Sequence, residues 1–301
     1  MKVRIFDDAE TVARAGALTL AATARQAIAA RGAFHVALSG GGTPNRMFEI
    51  LASLPCDWPR WHIWQVDERA APNGHSDRNI EALMARLVLT GPGSAPELQE
   101  TPPGLLDPTP ETVPDDIPGK TNVIGEERDS TGVGEGEHPV PSIDHDLSTQ
   151  DRPQTPAGAP EAPPPQPRLP VMIHPMRVTG DLPAGAAAYA EELQRQCEGI
   201  LDCVHLGVGD DGHTASLIQG DPGAYVLDAD VAATGPYHGW PRLTLTYRTI
   251  ARARSVLWIV SGAGKQDALR KLVDGDEAIP AARVERSRAT LFADAPAWRA
   301  D

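Results

Sequence analysis

Apolar residues recur along this chain with two different spacings. Short runs of apolar and β-branched residues predict strands, whereas longer stretches with apolar residues three or four positions apart predict helices. The predicted strands are residues 3–6, 35–39, 61–66, 203–206, 243–247 and 255–260. The predicted helices are residues 9–31, 44–54, 77–87, 183–197 and 265–273, with a further short helix beginning at His213.

Strands and helices alternate through most of this pattern. Such alternation predicts an α/β fold with a mainly parallel sheet that helices cover on both faces. In sheets of this kind, ligands bind beyond the carboxyl ends of the strands. The loops that follow the predicted strands are therefore the places to look for chemistry.

One long segment, residues 96–168, breaks the pattern. It contains no aromatic residue and is rich in proline and glycine, which neither a helix nor a central strand accommodates. We expect it to be a disordered insert within a single α/β domain spanning residues 1–301. Its fifteen acidic and four basic residues carry a net charge of −11, so only −3 of the total of −14 belongs to the rest of the chain.

Composition narrows the class of protein. A chain of 301 residues with 41% hydrophobic content has enough apolar residues to bury a core. Its acidity argues against nucleic-acid and membrane partners and favours a small molecule. The three cysteines, Cys56, Cys197 and Cys203, lack the spacing of a zinc site and are too few for a disulfide framework. With no signal-like or membrane-spanning run, the expected location is the cytoplasm, and the oligomeric state is left open.

The first strand-end loop is glycine-rich and leads directly into a helix. It reads SGGGTP, with Thr43 as the expected N-cap and Pro44 in the first helical turn. Helix N-termini present unpaired N–H donors, so this loop is a candidate phosphate cradle. An ordinary glycine-rich turn is an equally good interpretation of this motif alone, because it matches neither of the common nucleotide-binding patterns.

The second loop places three charged residues, Asp67, Glu68 and Arg69, at the end of an apolar strand. Charges at such a boundary can face a cleft, and the guanidinium of Arg69 has the geometry to bind phosphate. A solvated loop with a local ion pair is the alternative.

The third loop, residues 207–217, reads GVGDDGHTASL and follows an apolar strand. Histidine at this position can take a proton from water near neutral pH, which makes His213 a candidate general base. Two alternatives are a capping turn and a metal site formed by Asp210, Asp211 and His213; the metal site lacks further ligands at suitable spacing.

These three loops resemble, in this order, those of the 6-phosphogluconolactonase family. Two further segments strengthen the resemblance, PRLTLT at residues 241–246 and SGAGKQDALRKLV at residues 261–273. It extends over residues 3–298, apart from the insert. The resemblance implies a Rossmann-like fold, no metal or organic cofactor, and hydrolysis of the sugar-phosphate lactone 6-phospho-D-glucono-1,5-lactone.

The resemblance also implies roles for individual residues. His213 is the general base, and Asp67 and Asp211 are included with it in the catalytic set, although Asp210 is as good a candidate as Asp211 to orient the imidazole. The expected substrate-binding residues are Ser39, Gly40, Gly41, Gly42, Thr43, Arg69, Gly209 and Arg242. Lys265 also matches the family pattern, with a role at the start of a helix as the alternative.

The chain departs from the family pattern in two places. Ile-Gln-Gly at residues 218–220 replaces the usual Phe-Pro-Gly, and Ser-Asp-Arg-Asn at residues 76–79 replaces a commoner Asp-Ser-Asn. Both departures bear on sugar contacts more than on the chemistry.

Two other functions occur on similar sequences. A glucosamine-6-phosphate deaminase/isomerase has similar motifs, but its histidine is usually followed by Ala-Phe-Asn-Glu-Pro, where this chain has residues 214–217, Thr-Ala-Ser-Leu. A non-catalytic sugar-phosphate sensor is usually fused to a helix-turn-helix, for which neither the residues before Val3 nor the insert offer a suitable segment. Hydrolysis is the favoured interpretation.

Overall fold

The computed structural model describes residues 1–88 and 169–298, so the predicted insert at 96–168 lies outside the described residues. The strands are β1 (Lys2–Phe6), β2 (Phe34–Leu38), β3 (Trp61–Gln65), β4 (Asp67–Arg69), β5 (Met172–His174), β6 (Cys203–Leu206), β7 (Val231–Tyr237), β8 (Trp240–Leu245), β9 (Val256–Val260) and β10 (Ala289–Asp294). The α-helices are α1 (Ala9–Arg31), α2 (Gly42–Ala52), α3 (Asn79–Leu83), α4 (Leu182–Cys197), α5 (Tyr247–Arg252), α6 (Gln266–Asp274) and α7 (Ala295–Trp298).

The main sheet has seven strands in the order β1-β10-β9-β6-β2-β3-β5, and every neighbouring pair is parallel. This confirms the predicted Rossmann-like α/β class. The strands are short apolar runs, such as Val256–Val260, all of whose residues are buried. A strand buried on both faces reads as a continuous apolar run rather than an alternating one, which is why the sequence identified the central strands.

Two hydrophobic cores cover the two faces of this sheet. On one face, α1 and α2 pack on strand residues such as Val36 and Leu257. On the other face, α4 and a smaller sheet pack on the residues that alternate with these, such as Ala37 and Trp258. The period-two alternation along each strand thus divides its side chains between the two cores.

The smaller sheet, β4-β8-β7, is antiparallel and was not predicted. Its β4 strand consists of three charged residues, and β7 contains Gly235 and Pro236, so neither shows the apolar pattern of a strand. Within its β4–β8 ladder, Arg69 lies directly opposite Arg242.

The short helix predicted from His213 is wrong. The residues after His213 form a tight turn in which Thr214 and Leu217 make an isolated antiparallel bridge. Ala215 within the turn has a φ of 52°, a left-handed conformation that is incompatible with a right-handed helix.

Several predicted boundaries also move. The strand predicted at 243–247 is β8, which begins at Trp240 and ends at Leu245 because helix α5 follows at once. The helix predicted at 77–87 begins at Asn79 and continues from Met84 to Val88 as a π-helical turn. Strands β5 and β10 lay in segments to which no element was assigned.

The order of the central strands determines where the site lies. The chain runs from β2 outward to β3 on one side, whereas β6 and β9 lie on the other side of β2. Ligands of parallel α/β sheets bind at the carboxyl ends of strands where the strand order reverses in this way. The loops after β2, β3, β6 and β9 meet at that edge. Among the described residues, no helix combines the length and apolar character needed to cross a bilayer.

Candidate active site

A cavity of about 360 Å³ lies at the carboxyl edge of the sheet, where these four loops converge. The candidate residues from the sequence all line it, except Asp210 and Asp211. The residues that line the cavity are Ser39, Gly40, Gly41, Gly42, Thr43, Pro44, Asp67, Arg69, Asn79, Gly207, Val208, Gly209, His213, Ala215, Arg242, Ile259, Val260, Ser261 and Lys265.

The glycine-rich loop supplies one wall of the cavity and the N-terminus of α2. Its N-cap is Gly41, with a φ of 136° and no side-chain cap, so the predicted N-cap at Thr43 is wrong. The Thr43 hydroxyl instead forms a hydrogen bond with Ser261 from the loop after β9. Because the first helical N–H groups have no intrahelical acceptor, α2 presents these donors and the positive end of its dipole to the cavity.

A buried histidine supports the start of this loop. The Nδ1 atom of His205, on β6, accepts a hydrogen bond from the Ser39 amide at 3.3 Å. Burial lowers the pKa of His205 to about 3, so the ring is neutral and acts as an acceptor there. The sequence offered no reason to separate this residue from an ordinary core histidine.

Glu68 is the structural member of the Asp-Glu-Arg motif. It is fully buried and accepts hydrogen bonds from the amides of Arg69, Asn79 and Ile80 at 2.8, 2.8 and 3.1 Å. The Gln65 side chain donates a further bond at 2.8 Å. A buried carboxylate with this many donors is satisfied within the fold, so Glu68 fixes the loop around the cavity while its two neighbours face the cavity.

Asp67 is buried at the floor of the cavity. Its Oδ2 accepts a hydrogen bond from the Ser216 hydroxyl at 2.7 Å and lies 3.8 Å from a guanidinium nitrogen of Arg242. Its Oδ1 accepts one from the Asn79 amide group at 3.2 Å. Burial raises the pKa of Asp67, against the opposing effects of the Ser216 bond and the Arg242 charge. The left-handed turn at Ala215 is what brings Ser216 to this carboxylate.

Arg69 and Arg242 form a pair of cations on the cavity wall. The Ala70 amide donates a main-chain hydrogen bond to the Pro241 carbonyl. Pairs in an antiparallel ladder alternate, so the adjacent pair, Arg69 and Arg242, is a non-hydrogen-bonded one, in which the Cα atoms are about 4.5 Å apart. Like charges directly opposite each other destabilise a sheet. An anion between the two guanidinium groups removes this repulsion, so the pair suits a doubly charged ligand such as a phosphate monoester.

His213 and Asp211 form a hydrogen-bonded pair in the loop after β6. The distance from His213 Nδ1 to Asp211 Oδ1 is 2.6 Å. Asp210 points elsewhere, to an ion pair with Lys265 at 2.5 Å. Of the two candidate aspartates, Asp211 is therefore the one that contacts the imidazole. In residues 1–88 and 169–298, no group of three His, Cys, Asp or Glu side chains is arranged to hold a metal ion.

Gly209 contributes space rather than a hydrogen-bond donor. Its amide already donates to the His213 carbonyl at 2.8 Å. A Cβ atom at this position would lie 2.1 Å from His213 Nδ1 and 2.6 Å from Asp211 Oδ1. The glycine therefore lets the imidazole pack against the backbone of its own loop.

We expect Gly209→Ala to displace the His213 ring and to lower kcat for the protein's reaction by about 100-fold, the loss that a misplacement of about 1 Å can cause. The matched control is Gly264→Ala, whose new methyl group would meet nothing closer than 4.0 Å. Turnover and melting temperature measured for both variants check this. A Gly209→Ala protein with wild-type turnover would contradict the packing role.

The structure also places Lys265 and the two segments that depart from the family pattern. Lys265 lines the cavity, although its alternative role near a helix start also holds, since it immediately precedes α6. Asn79 belongs to the Ser-Asp-Arg-Asn segment, which differs from the family pattern, and it lines the cavity. Arg78 of the same segment is buried in an ion pair with Glu68. The other departing segment, residues 218–220, does not line the cavity.

The fold and the site together define a Rossmann-like α/β protein whose cavity joins a cationic wall to a histidine–aspartate pair. The family follows from the sequence: the family described as glucosamine-6-phosphate isomerases/6-phosphogluconolactonase matches residues 7–107 and 157–293. The chain belongs to this family.

Individual relatives agree with this assignment. A 6-phosphogluconolactonase from Synechocystis is 30% identical over 247 residues, which cover 82% of this chain and 74% of the relative. The crystal structure of a 6-phosphogluconolactonase from Shewanella baltica matches with a TM-score of 0.64 at 20% identity and covers 98% of each chain. A monomeric glucosamine-6-phosphate deaminase matches with a TM-score of 0.63 at 16% identity, covering 99% of this chain and 98% of its own. The fold is therefore common to both activities in the family.

Proposed function

We propose that this protein is a 6-phosphogluconolactonase, which hydrolyses 6-phospho-D-glucono-1,5-lactone to 6-phospho-D-gluconate in the oxidative pentose phosphate pathway. The observation that carries the proposal is the cavity itself, in which His213 and the Arg69–Arg242 pair face the same space. A sugar-phosphate lactone has a reactive carbonyl at one end and a dianion at the other. The names of the relatives point to the same substrate.

The base in this reaction is His213. Its Nδ1 lies against the Asp211 carboxylate, which is ionised because hydrogen bonds from His213 outweigh the effect of partial burial and lower the pKa of Asp211. An ionised carboxylate only accepts hydrogen bonds, so the proton of the neutral imidazole resides on Nδ1. The lone pair on Nε2 is then available to take a proton from water.

The steps follow from that arrangement. Water loses a proton to Nε2 as its oxygen bonds to the lactone carbonyl carbon, and the carbonyl oxygen becomes an oxyanion. When the oxyanion re-forms the carbonyl, the bond to the ring oxygen breaks, and that oxygen takes the proton back from Nε2. Main-chain N–H groups of residues 40–43 are the candidates to stabilise the oxyanion or the phosphate, since they have no acceptor among the described residues.

The phosphate is assigned to the part of the cavity lined by the arginines. Arg69 and Arg242, with Lys265 and the N-terminus of α2, gather positive charge in a protein that is otherwise acidic. Binding energy at the phosphate would orient the lactone carbonyl toward His213, some distance away in the same molecule. No cofactor takes part in the proposed reaction.

Asp67 separates the proposal from its closest rival, a glucosamine-6-phosphate deaminase/isomerase. In a deaminase this carboxylate is the indispensable base, whereas in a lactonase it only supports the cavity through Ser216 and Arg242. We expect Asp67→Asn to hydrolyse the lactone with a smaller loss than His213→Ala.

The assay uses freshly prepared phosphogluconolactone, with the spontaneous rate subtracted, and glucosamine 6-phosphate in parallel. Wild-type turnover of the lactone alone supports the proposal. Ammonia released from the amino sugar, and lost completely in Asp67→Asn, would establish the deaminase instead. Binding of 6-phosphogluconate without turnover of either substrate would support the third possibility, a non-catalytic sugar-phosphate-binding protein.

A cytoplasmic location is part of this proposal. It rests on the soluble sugar-phosphate substrate and on the cysteines, all three of which are free.

A further inference from the structure

Tyr237 contacts both partners of the histidine–aspartate pair, although no sequence motif drew attention to it. It lies at the end of β7, beside the turn into β8. Its hydroxyl donates a hydrogen bond to Asp211 Oδ2 at 2.9 Å and lies 3.4 Å from His213 Nδ1. Its ring meets the imidazole edge-on, with the ring centroids 5.1 Å apart. The Tyr237 hydroxyl is thus the partner of Asp211 Oδ2, whereas Oδ1 accepts hydrogen bonds from the His213 main-chain amide at 3.1 Å and from the imidazole.

The second partner matters because Asp211 lies in an open part of the loop. Its side chain is 46% exposed, and without Tyr237 it would be held at Oδ1 alone, by the amide and imidazole of His213 itself. Burial and the neighbouring carboxylate raise the pKa of Tyr237, which keeps its hydroxyl protonated as a donor at neutral pH. A carboxylate held at both oxygens presents a fixed acceptor to the imidazole.

The same residue also contacts the cationic wall. The main-chain carbonyl of Tyr237 accepts a hydrogen bond from Arg242 at 2.9 Å, and the guanidinium carbon lies 5.0 Å from the centre of its ring. The base and the arginine are therefore attached to one residue of the β7–β8 hairpin.

We propose that Tyr237 is the positioning residue of this site, which fixes His213 through Asp211 and at the same time sets the distance from the imidazole to Arg242. This inference rests on the proposed lactonase activity and goes beyond it, because it assigns the alignment of base and phosphate clamp to a side chain that touches neither water nor the lactone in the mechanism. The ring supports the clamp and the hydroxyl supports the base.

The two parts of the side chain are separable by mutation. Tyr237→Phe keeps the ring and removes only the hydroxyl. Asp211 then loses one donor, so its charge interacts more strongly with the imidazolium form of His213. Since the base must be neutral to act, we expect the acid limb of kcat/KM to move to higher pH by roughly half a unit to one unit.

At the pH plateau, the same variant should lose roughly 3- to 30-fold in kcat with little change in KM, because Oδ2 of the carboxylate is no longer held. Tyr237→Leu removes the ring as well and should also raise KM.

The charged and titratable groups that face His213 or line the same cavity are Asp67, Arg69, Asp211, Tyr237, Arg242 and Lys265. All of them except position 237 are unchanged in these variants.

The experiment measures pH–rate profiles of wild type, Tyr237→Phe, Asp211→Asn and the double variant, with Tyr225→Phe as the matched control. Tyr225 is an exposed tyrosine whose hydroxyl bonds Gln219 outside the cavity. The pKa of His213 is measured separately by NMR on histidine-labelled protein, which requires no activity. Because Tyr237 acts through Asp211, adding Tyr237→Phe to the Asp211→Asn variant should cause no further shift. This holds for both the acid limb of kcat/KM and the NMR titration of His213.

The outcomes distinguish the two proposals. A wild-type protein without lactonase activity overturns the proposed function, while the NMR titration still tests the coupling of Tyr237 to His213. A Tyr237→Phe protein with the wild-type His213 pKa and pH profile overturns the positioning role. The positioning role is also overturned if Tyr237→Phe causes the same shift in the wild-type and in the Asp211→Asn background. A lowered melting temperature with both readouts unchanged would assign Tyr237 a purely structural role.

Discussion

His213→Ala is expected to lower the rate of lactone hydrolysis by about two to four orders of magnitude, the contribution of a positioned general base. The imidazole is the group on this wall of the cavity that can accept a proton from water near neutral pH, and its Nε2 has no hydrogen-bond partner among the described residues. Stopped-flow or continuous assays with fresh lactone measure the loss.

The fold should survive this change, since the His213 side chain is 24% exposed and lies outside both hydrophobic cores. His238→Asn is the matched control: it alters an exposed histidine on the adjacent hairpin, and asparagine tolerates the φ of 49° found there. A folded His213→Ala protein with undiminished turnover would disprove the mechanism.

Arg69→Met is expected to lower kcat/KM for the phosphorylated lactone by about 30- to 1,000-fold, equivalent to about 2–4 kcal/mol, which is typical for the loss of one partner of a charge-assisted contact. Hydrolysis of unphosphorylated gluconolactone, already slow, should scarcely change, because that substrate has no dianion for the arginine pair to bind. The ratio of the two kcat/KM values measures the effect.

Arg69 is a cleaner test than Arg242, because Arg242 forms the ion pair with the buried Asp67 and its removal would break that pair. Arg270→Met, on the exposed face of α6, removes a cation that pairs only with acidic residues of its own helix and serves as the control. If Arg69→Met lowers the rates on both lactones equally, Arg69 does not bind phosphate.

The parallel sheet was predictable because its central strands are continuous apolar runs, as in β9. The antiparallel sheet was not, because β4 is made of charged residues whose side chains are satisfied by contacts distant in sequence. The sequence pattern identifies a strand only when the strand is made of apolar residues because it is buried.

The same distinction holds for the site. Strand-end loops led to the glycine-rich turn, Arg69 and His213, since parallel strands bring such loops to one edge. Arg242 was found by family resemblance alone. Tyr237 and His205 were not found, because a tyrosine beside a hairpin and a histidine within an apolar strand have common structural explanations, and only distances reveal their partners.

The Arg69–Arg242 ladder has a consequence for how this enzyme family diverges. Main-chain bonds between β4 and β8 hold the two arginines opposite each other, so their separation does not depend on the length of the turn at His238 and Gly239. On the proposed assignment of the phosphate to this pair, relatives could gain or lose residues in that turn and change what they contact beyond the phosphate, while a slip of one residue in the ladder would turn Arg242 to the other face. Sugar preference is therefore expected to evolve readily at the hairpin tip, and the requirement for a phosphate to be inherited almost unchanged.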